Sequence, residues 1–218
     1  TDLYSEKTEI SGQPVGRLDI ASTYENGNIH ITAGNILDDM RNFDLIADYK
    51  PAANNLDATI TLDGLNAGYA YPLLNSVFCE LDGRIDGKLR LHGPLNDLDI
   101  ESEGTRFNGV GAMVDYLKVK YIAHGPIHID NSGLHFDEVD LRDNKGGRGT
   151  LTGAVTYNNF KNLGTDIHIH FDSMEALNLT EKDNDDFYGN IFGTGNVSIT
   201  GPLNSITIDA EATTTKAG

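Results

Sequence analysis

The sequence predicts an all-β fold built as an elongated, solenoid-like and mostly antiparallel sheet with one apolar face. Three observations support this prediction. Apolar and polar residues alternate with a period of two along most of the chain. Turn residues rich in glycine separate the alternating segments, and a multi-strand unit occurs twice.

The alternating segments are typical of strands that have one apolar and one solvated face. Clear examples are Leu89–His92, Ile167–Phe171 and Val197–Thr200, and the turn pairs Gly93-Pro94 and Gly201-Pro202 follow two of them. One-sided alternation favours an antiparallel sheet, because parallel strands are usually buried on both faces. We expect roughly sixteen strands of about seven to nine residues each, stacked over roughly 75 Å.

Helical periodicity is scarce in this sequence. Tyr69–Phe78 carries apolar residues at helical spacing, but Pro72 limits a helix there to one or two turns. Asp115–Ile122 alternates with a period of two and is interpreted as another strand.

A repeated unit is the most informative feature of the chain. The stretch Gly87–Ile100 recurs as Gly195–Ile208, with glycine, proline and alternating apolar residues at matching positions. Further matches upstream define two units, about 16–104 and 125–212, within one elongated β fragment that spans 1–218. Units with one apolar face must stack to bury it. We also expect the chain to be a piece of a longer protein.

The charge and the cysteine content exclude several kinds of partner and site. Asp and Glu outnumber Lys and Arg by 33 to 16, which gives a net charge of −17. Such a surface repels the phosphate backbone, so no nucleic acid is expected as a partner. Cys79 is the only cysteine, which excludes an intramolecular disulfide and a cysteine-based zinc site.

The apolar face is the candidate functional surface. A single sheet cannot leave such a face in water, so it must curl over itself, close, or receive an apolar ligand. The core of a β-sandwich would give the same pattern, and the repetition favours a groove. The groove-lining residues predicted by alternation are Leu89, Leu91, Leu98, Ile100, Ile127, Ile129, Leu134, Phe136, Ile167, Ile169, Phe171, Val197, Ile199, Ile206 and Ile208.

The histidines raise the alternative of a metal site. His168 and His170 lie two residues apart and therefore on one face of a strand. A His-x-His pair with a third ligand, such as His128, His135 or His92, is an arrangement that zinc accepts. The more ordinary interpretation is that histidine occupies solvated positions, and we predict neither a metal nor a cofactor.

Other polar groups offer no convincing chemistry. The acidic loop Glu181–Asp186 lacks the glycine and the final glutamate of an EF-hand, which favours a solvated turn. The carboxylates of Asp137, Glu138 and Asp140 could be paired as in a glycosidase, but on alternating strands they are more often surface charges. We therefore predict no catalytic residue and no enzymatic activity.

Several segments resemble a known family. Asp82–Leu95 resembles the recurring G-x-I-x-G-x-L-x-L-x-G-P-L signature of TamB-like and AsmA-like proteins, and Gly146–Val155 fits a similar glycine step. Leu179–Gly195 resembles TamB-type proteins of Bacteroidetes. The order and the repetition of these segments make the resemblance specific.

The resemblance implies a β-taco, a long sheet folded around an apolar interior, in a protein of the bacterial periplasm. It implies an anchor in the inner membrane and a partner in the outer membrane of the BamA-like or TamA-like kind, both contacted through parts outside this chain. It also implies a role in outer-membrane biogenesis. Phospholipid acyl chains would move along the groove between the inner and outer membranes.

Two alternatives remain open at this point. In the first, the chain is a scaffold whose sheet edge pairs with strands of outer-membrane β-barrel proteins during their assembly or secretion. In the second, it is a β-solenoid that binds or cleaves polysaccharide, which would require aromatic rows or a carboxylate cleft on the outer face.

Overall fold

The computed structural model describes residues 1–10, 12–75, 77–158, 161–185 and 188–217. Within these residues, thirteen strands form one sheet in which every strand pairs antiparallel with its neighbour in the chain. The strands are β1 (Asp2–Ile10), β2 (Gln13–Glu25), β3 (Asn28–Ile36), β4 (Phe43–Lys50), β5 (Asn55–Asn66), β6 (Phe78–Pro94), β7 (Asp99–Val114), β8 (Val119–Asp130), β9 (Gly133–Asp143), β10 (Arg148–Asn158), β11 (Lys161–Leu179), β12 (Gly189–Pro202) and β13 (Thr207–Ala217).

The helical segments are short. One α-helix, α1 (Tyr71–Leu74), follows a 3-10 turn at Ala67–Ala70, and a second 3-10 turn spans Pro51–Ala53. The prediction of a short helix near Pro72 is therefore confirmed, with the proline in the first helical turn where its missing N–H costs nothing. No helix in the described ranges is both long enough and apolar enough to cross a bilayer.

The strands are fewer and longer than the sequence suggests. Instead of roughly sixteen strands there are thirteen, and β11 has 19 residues and β6 has 17. The cause is the β-bulge, an extra residue that lets a strand bend and continue. At Gly83 the φ angle is +95°, and a Cβ there would lie 2.2 Å from the carbonyl oxygen of Gly109. Some glycines thus mark bulges inside strands, and at about 4.8 Å per strand the sheet extends roughly 60 Å.

The strand predicted over Asp115–Ile122 is wrong in its first half. Residues 115–118 form the turn between β7 and β8, with Lys118 in the left-handed region at a φ angle of 52°. The backbone N–H of Lys118 donates to the carbonyl of Val114, and the Lys118 ammonium pairs with the Asp115 carboxylate. These local bonds favour the turn over an extended strand, which begins only at Val119.

The two copies of the repeated unit contain the same turn near their ends. The N–H of Asp97 donates to the carbonyl of Pro94, and the N–H of Ser205 donates to the carbonyl of Pro202, each at 2.8 Å. These turns connect β6 to β7 and β12 to β13. The boundaries of the two units stay a prediction.

The register places apolar side chains in rows that cross the strands. Residues directly opposite each other in an antiparallel pair project from the same face of the sheet. One such row crosses β1 to β6, and a second crosses β8 to β13 with a glycine in its middle. The first row is Leu3, Ile20, Ala33, Leu45, Ile60 and Leu89, and the second is Ile127, Phe136, Gly153, Ile167, Ile199 and Ile208.

Candidate functional site

The structure places most of the predicted groove residues within strands. Direct pairs include Leu91 with Ile100 and Ile169 with Val197, each of which projects from one face. Leu98 and Ile206 lie in the connections just before β7 and β13, outside any strand. Both positions directly follow the turns that begin at Pro94 and Pro202, and both side chains are half-buried.

The burial of the predicted residues varies widely along the sheet. Four are buried, ten are half-buried, and one is 65% exposed. The buried ones are Ile100, Ile127, Phe136 and Phe171. The half-buried ones are Leu89, Leu91, Leu98, Ile129, Leu134, Ile167, Ile169, Val197, Ile199 and Ile206, and the exposed one is Ile208. That these fifteen residues line a groove for lipid stays a prediction.

An open section lies on β2 to β6. We define it by the side chains of Ile20, Ala33, Leu45, Ile60 and Leu89, all of which are half-buried and lie in one row. The first four are absent from the predicted set. The repeat could have revealed them, because Gly16–Ile20 has the same pattern as the later Gly125–Ile129.

A closed section lies on β8 to β11, where the apolar side chains pack against each other. We define it by the buried side chains of Ile127, Phe136, Val139, Leu141, Phe171 and Met174. Val139 is 0% exposed and Met174 is 3% exposed. The Phe136 ring also lies 6.1 Å from the ring of Phe107 on β7. This section forms the larger part of a hydrophobic core cluster that also includes Ala67, Val110 and Ala123.

A seam joins β11 to β8 and to the turn before β8, across the two strands between them. We define it by two hydrogen bonds: the Tyr121 hydroxyl donates to the carbonyl of Glu175 at 2.8 Å, and the N–H of Asn178 donates to the carbonyl of Leu117 at 3.0 Å. Burial, together with the nearby carboxylates of Asp143 and Glu175, raises the pKa of Tyr121 above its usual range. The phenol therefore stays protonated and keeps its role as a donor.

The two buried carboxylates near the seam are held by structural hydrogen bonds. The Asp143 carboxylate accepts from the N–H groups of Lys145 and Gly147, both at 2.8 Å, and from that of Glu175 at 2.6 Å. The Glu175 carboxylate accepts from the side-chain amide of Asn190. These bonds compensate for the loss of hydration on burial and tie the β9–β10 turn to β11. Alternation did not predict them, because the contacts depend on how the sheet curls.

The opposite face of the sheet is polar. An open depression of about 750 Å³ lies over β1 to β4, where Arg17 pairs with Asp19 at 3.0 Å and Arg41 pairs with Asp44 at 2.6 Å. Asp19 and Asp44 share a row on the face opposite Leu45. The lining of this depression combines these charged groups with Leu3, Ile20, Ala33 and Leu45 of the apolar row.

The histidines considered for a metal site have polar partners on this face. His168 lies 3.0 Å from the Ser198 hydroxyl and 3.1 Å from an Asp166 carboxylate oxygen, and His170 lies 2.9 Å from the Asn196 amide oxygen. No three His, Cys, Asp or Glu side chains among the residues that the structure describes are placed to hold a metal ion.

The remaining acidic candidates make local contacts. In the acidic loop, Asp183 accepts from the backbone N–H and the hydroxyl of Thr180, and these bonds lower the pKa of its carboxyl. Asp186, the last residue of that loop, lies outside the described residues. Asp140 pairs with Arg142 at 2.8 Å. These contacts are those of surface turns and strands.

Comparison with known proteins gives one match. The family model described as the TamB C-terminal domain matches residues 138–218, which run from within β9 to the end of the chain. The matched part includes Val139, Phe171 and Met174 of the closed section and one side of the seam. No curated protein and no solved structure matches the chain.

Proposed function

We propose that this chain, a TamB-like protein by the match over its residues 138–218, acts in outer-membrane biogenesis by carrying phospholipid along its apolar face. The acyl chains would contact the rows of aliphatic side chains, and the headgroups would remain in water. The proposal places the chain in the periplasm, held in the inner membrane by a segment outside it. The TamB domain does not define a family of enzymes, and the proposed transport requires no catalytic residue.

The observation that carries this proposal is the uncharged row of the open section. Five strands contribute one aliphatic side chain each, and none of the five is fully buried by the protein itself. A half-exposed row of this length is costly in water, and an acyl chain lying across it would remove that cost. Each CH₂ group so buried contributes about 0.8 kcal/mol. Successive strands about 4.8 Å apart would offer repeated, similar contacts, which suits movement along the row.

A binding measurement with matched variants tests the proposal. Ile199 faces Ile167 and Ile208 on the apolar face, whereas Asn196, on the same strand, lies on the polar face beside His170. We expect Ile199→Asp to weaken binding of a phospholipid with a fluorescent acyl chain more than tenfold. Losing the burial of two CH₂ groups already removes about 1.6 kcal/mol, and about 1.4 kcal/mol corresponds to a factor of ten.

The control variant is Asn196→Asp, which adds the same charge on the opposite face and should leave binding unchanged. Circular dichroism verifies that both variants keep their strands. Equal loss of binding in the two variants would show that charge alone, and not the apolar face, governs the interaction.

A second candidate function is supported by the two edges of the sheet. Within the described residues, β1 and β13 each have a paired neighbour on one side only, and β13 has 11 residues. A sheet edge that no further strand of the same protein covers is a template for strand addition. A chain that binds no phospholipid but captures an unfolded outer-membrane β-barrel protein would favour this scaffold function.

A further inference from the structure

We propose that the closed section is a barrier within the apolar path, and that the seam between β8 and β11 must part before an acyl chain can pass. This inference rests on the proposed function, since it concerns the same apolar face. It assigns a regulating role to the apolar packing of the closed section and to the two hydrogen bonds of the seam.

The closed section lies between two more open parts of the apolar face. Because the strands follow one another in chain order, the open section on β2 to β6 and the residues Ile199 and Ile208 on β12 and β13 lie on opposite sides of β8 to β11. An acyl chain that follows the row from Ile208 through Ile199 and Ile167 therefore meets Phe136 and Ile127, which are buried. Ile208 is 65% exposed beyond the closed section, so the apolar face opens again on the far side.

The closed section has no free surface for an acyl chain. Val139, Met174 and Leu141 are 0%, 3% and 7% exposed, so their surfaces are covered by neighbouring side chains. Protein interiors of this kind are close-packed, and a further chain cannot enter unless the packed groups separate. The open section, by contrast, presents half-exposed side chains.

The seam is a short link between strands that are not neighbours in the sheet. Neighbouring strands are joined by long ladders of backbone hydrogen bonds, whereas the seam joins β11 to β8 only by the Tyr121 hydrogen bond and to the turn before β8 by the Leu117 hydrogen bond. The seam exists because β11 continues to Leu179, beyond the part that pairs with β10. This continuation passes over the β9–β10 turn and meets the start of β8. A Cβ at Gly147 in that turn would lie 2.5 Å from the Cα of Met174, which shows how closely β11 crosses the turn.

Strand β11 can bend at Ser173, just before the part that reaches the seam. Ser173 adopts a φ angle of 52°, and the register with β12 shifts between Phe171 and Met174. A bulge of this kind bends a strand. Residues after Ser173 remain paired with β12, so this part of β11 can swing away from β8 together with β12. The swing breaks the seam and the hydrogen bond from the Glu175 N–H to Asp143, and it keeps the β11–β12 ladder.

A reversible lock on the seam tests the inference. Leu117 and Asn178 are joined by a backbone hydrogen bond of 3.0 Å, and a disulfide between these two positions would hold the same contact closed. We would make Leu117→Cys and Asn178→Cys together in a Cys79→Ala chain, and each alone as controls. Vesicles of phosphatidylethanolamine that carry a diazirine in the acyl chain would then be photolysed with the oxidised and reduced forms, and labelled peptides identified by mass spectrometry.

The expected result is labelling of the open section in both forms, and labelling of the closed section only in the reduced form. Equal labelling of the closed section in the oxidised form would overturn the barrier. Labelling that never reaches the closed section in either form would overturn control by the seam. Absence of label from the open section would instead contradict the proposed function itself, so the two failures are distinguishable.

A second variant measures the seam without a disulfide. Tyr121→Phe removes one of its two hydrogen bonds and keeps the ring. We expect labelling of the closed section to rise severalfold, with labelling of the open section unchanged. Unchanged labelling of the closed section would contradict the role of the seam.

Discussion

Truncation of Phe136 to alanine measures how much of the stability resides in the closed section. The ring is 9% exposed, faces Ile127 on β8, and lies 6.1 Å from the ring of Phe107. Removing a buried phenylalanine ring costs about 3–5 kcal/mol of unfolding free energy, of which the lost ring pair accounts for about 0.5–1.5 kcal/mol. The residue opposite on β10 is Gly153, which has no side chain to fill the space. The cavity therefore persists, and we expect a cost in the upper half of that range.

The assay is equilibrium unfolding in urea, followed by circular dichroism in the strand region. The matched control is Ile208→Ala, because Ile208 is an apolar residue of the same row with 65% of its surface exposed. This control should change the unfolding free energy by less than about 0.5 kcal/mol. Equal costs for Phe136→Ala and Ile208→Ala would refute the division of the apolar face into closed and open sections.

Three further predictions concern the bulges, the pH dependence and the seam. Gly83→Ala should destabilise the β6–β7 pair, because its Cβ would meet the carbonyl of Gly109 at 2.2 Å, and hydrogen exchange of β6 amides should increase. Hydrogen bonds from Ser132 lower the pKa of Asp130. The resulting stability is complete above the unfolded-state pKa of about 3.9 and is lost as the pH falls below it. In Asp130→Asn, the midpoint of urea unfolding should therefore change less between neutral and acidic pH than in the parent chain. Tyr121→Phe should cost about 1–3 kcal/mol in urea unfolding, because it leaves a buried carbonyl unpaired.

The fold class was predictable because alternation is a local signal. A period of two sets which side chains share a face, and the observed register confirms it for pairs such as Ile169 with Val197. Strand lengths were less predictable, because glycine occurs both in turns, which end a strand, and in bulges, through which a strand continues. Gly83 lies inside β6, whereas Gly27 lies in the turn between β2 and β3. Only the contact with the neighbouring strand distinguishes the two.

The candidate site was predicted only in part, since its character depends on contacts between distant strands. Alternation assigned Phe136 and Ile199 to the same surface, and they do share a row. It did not reveal that Phe136 is enclosed while Ile199 is half-exposed, because that difference arises from the curl of the sheet. The seam partners Tyr121 and Glu175 are 54 positions apart and carry no common motif.

The central claim, that the apolar face holds phospholipid, is tested most directly by the lipid that the protein retains. The chain would be purified without detergent beside Leu45→Asp and Ile46→Asp, followed by extraction and mass spectrometry. Leu45 is half-buried on the apolar face, and its neighbour Ile46 is 55% exposed on the polar face. The account predicts phospholipid bound to the parent chain and to Ile46→Asp, and its loss from Leu45→Asp. Absence of phospholipid from all three, or its equal retention by all three, would contradict it.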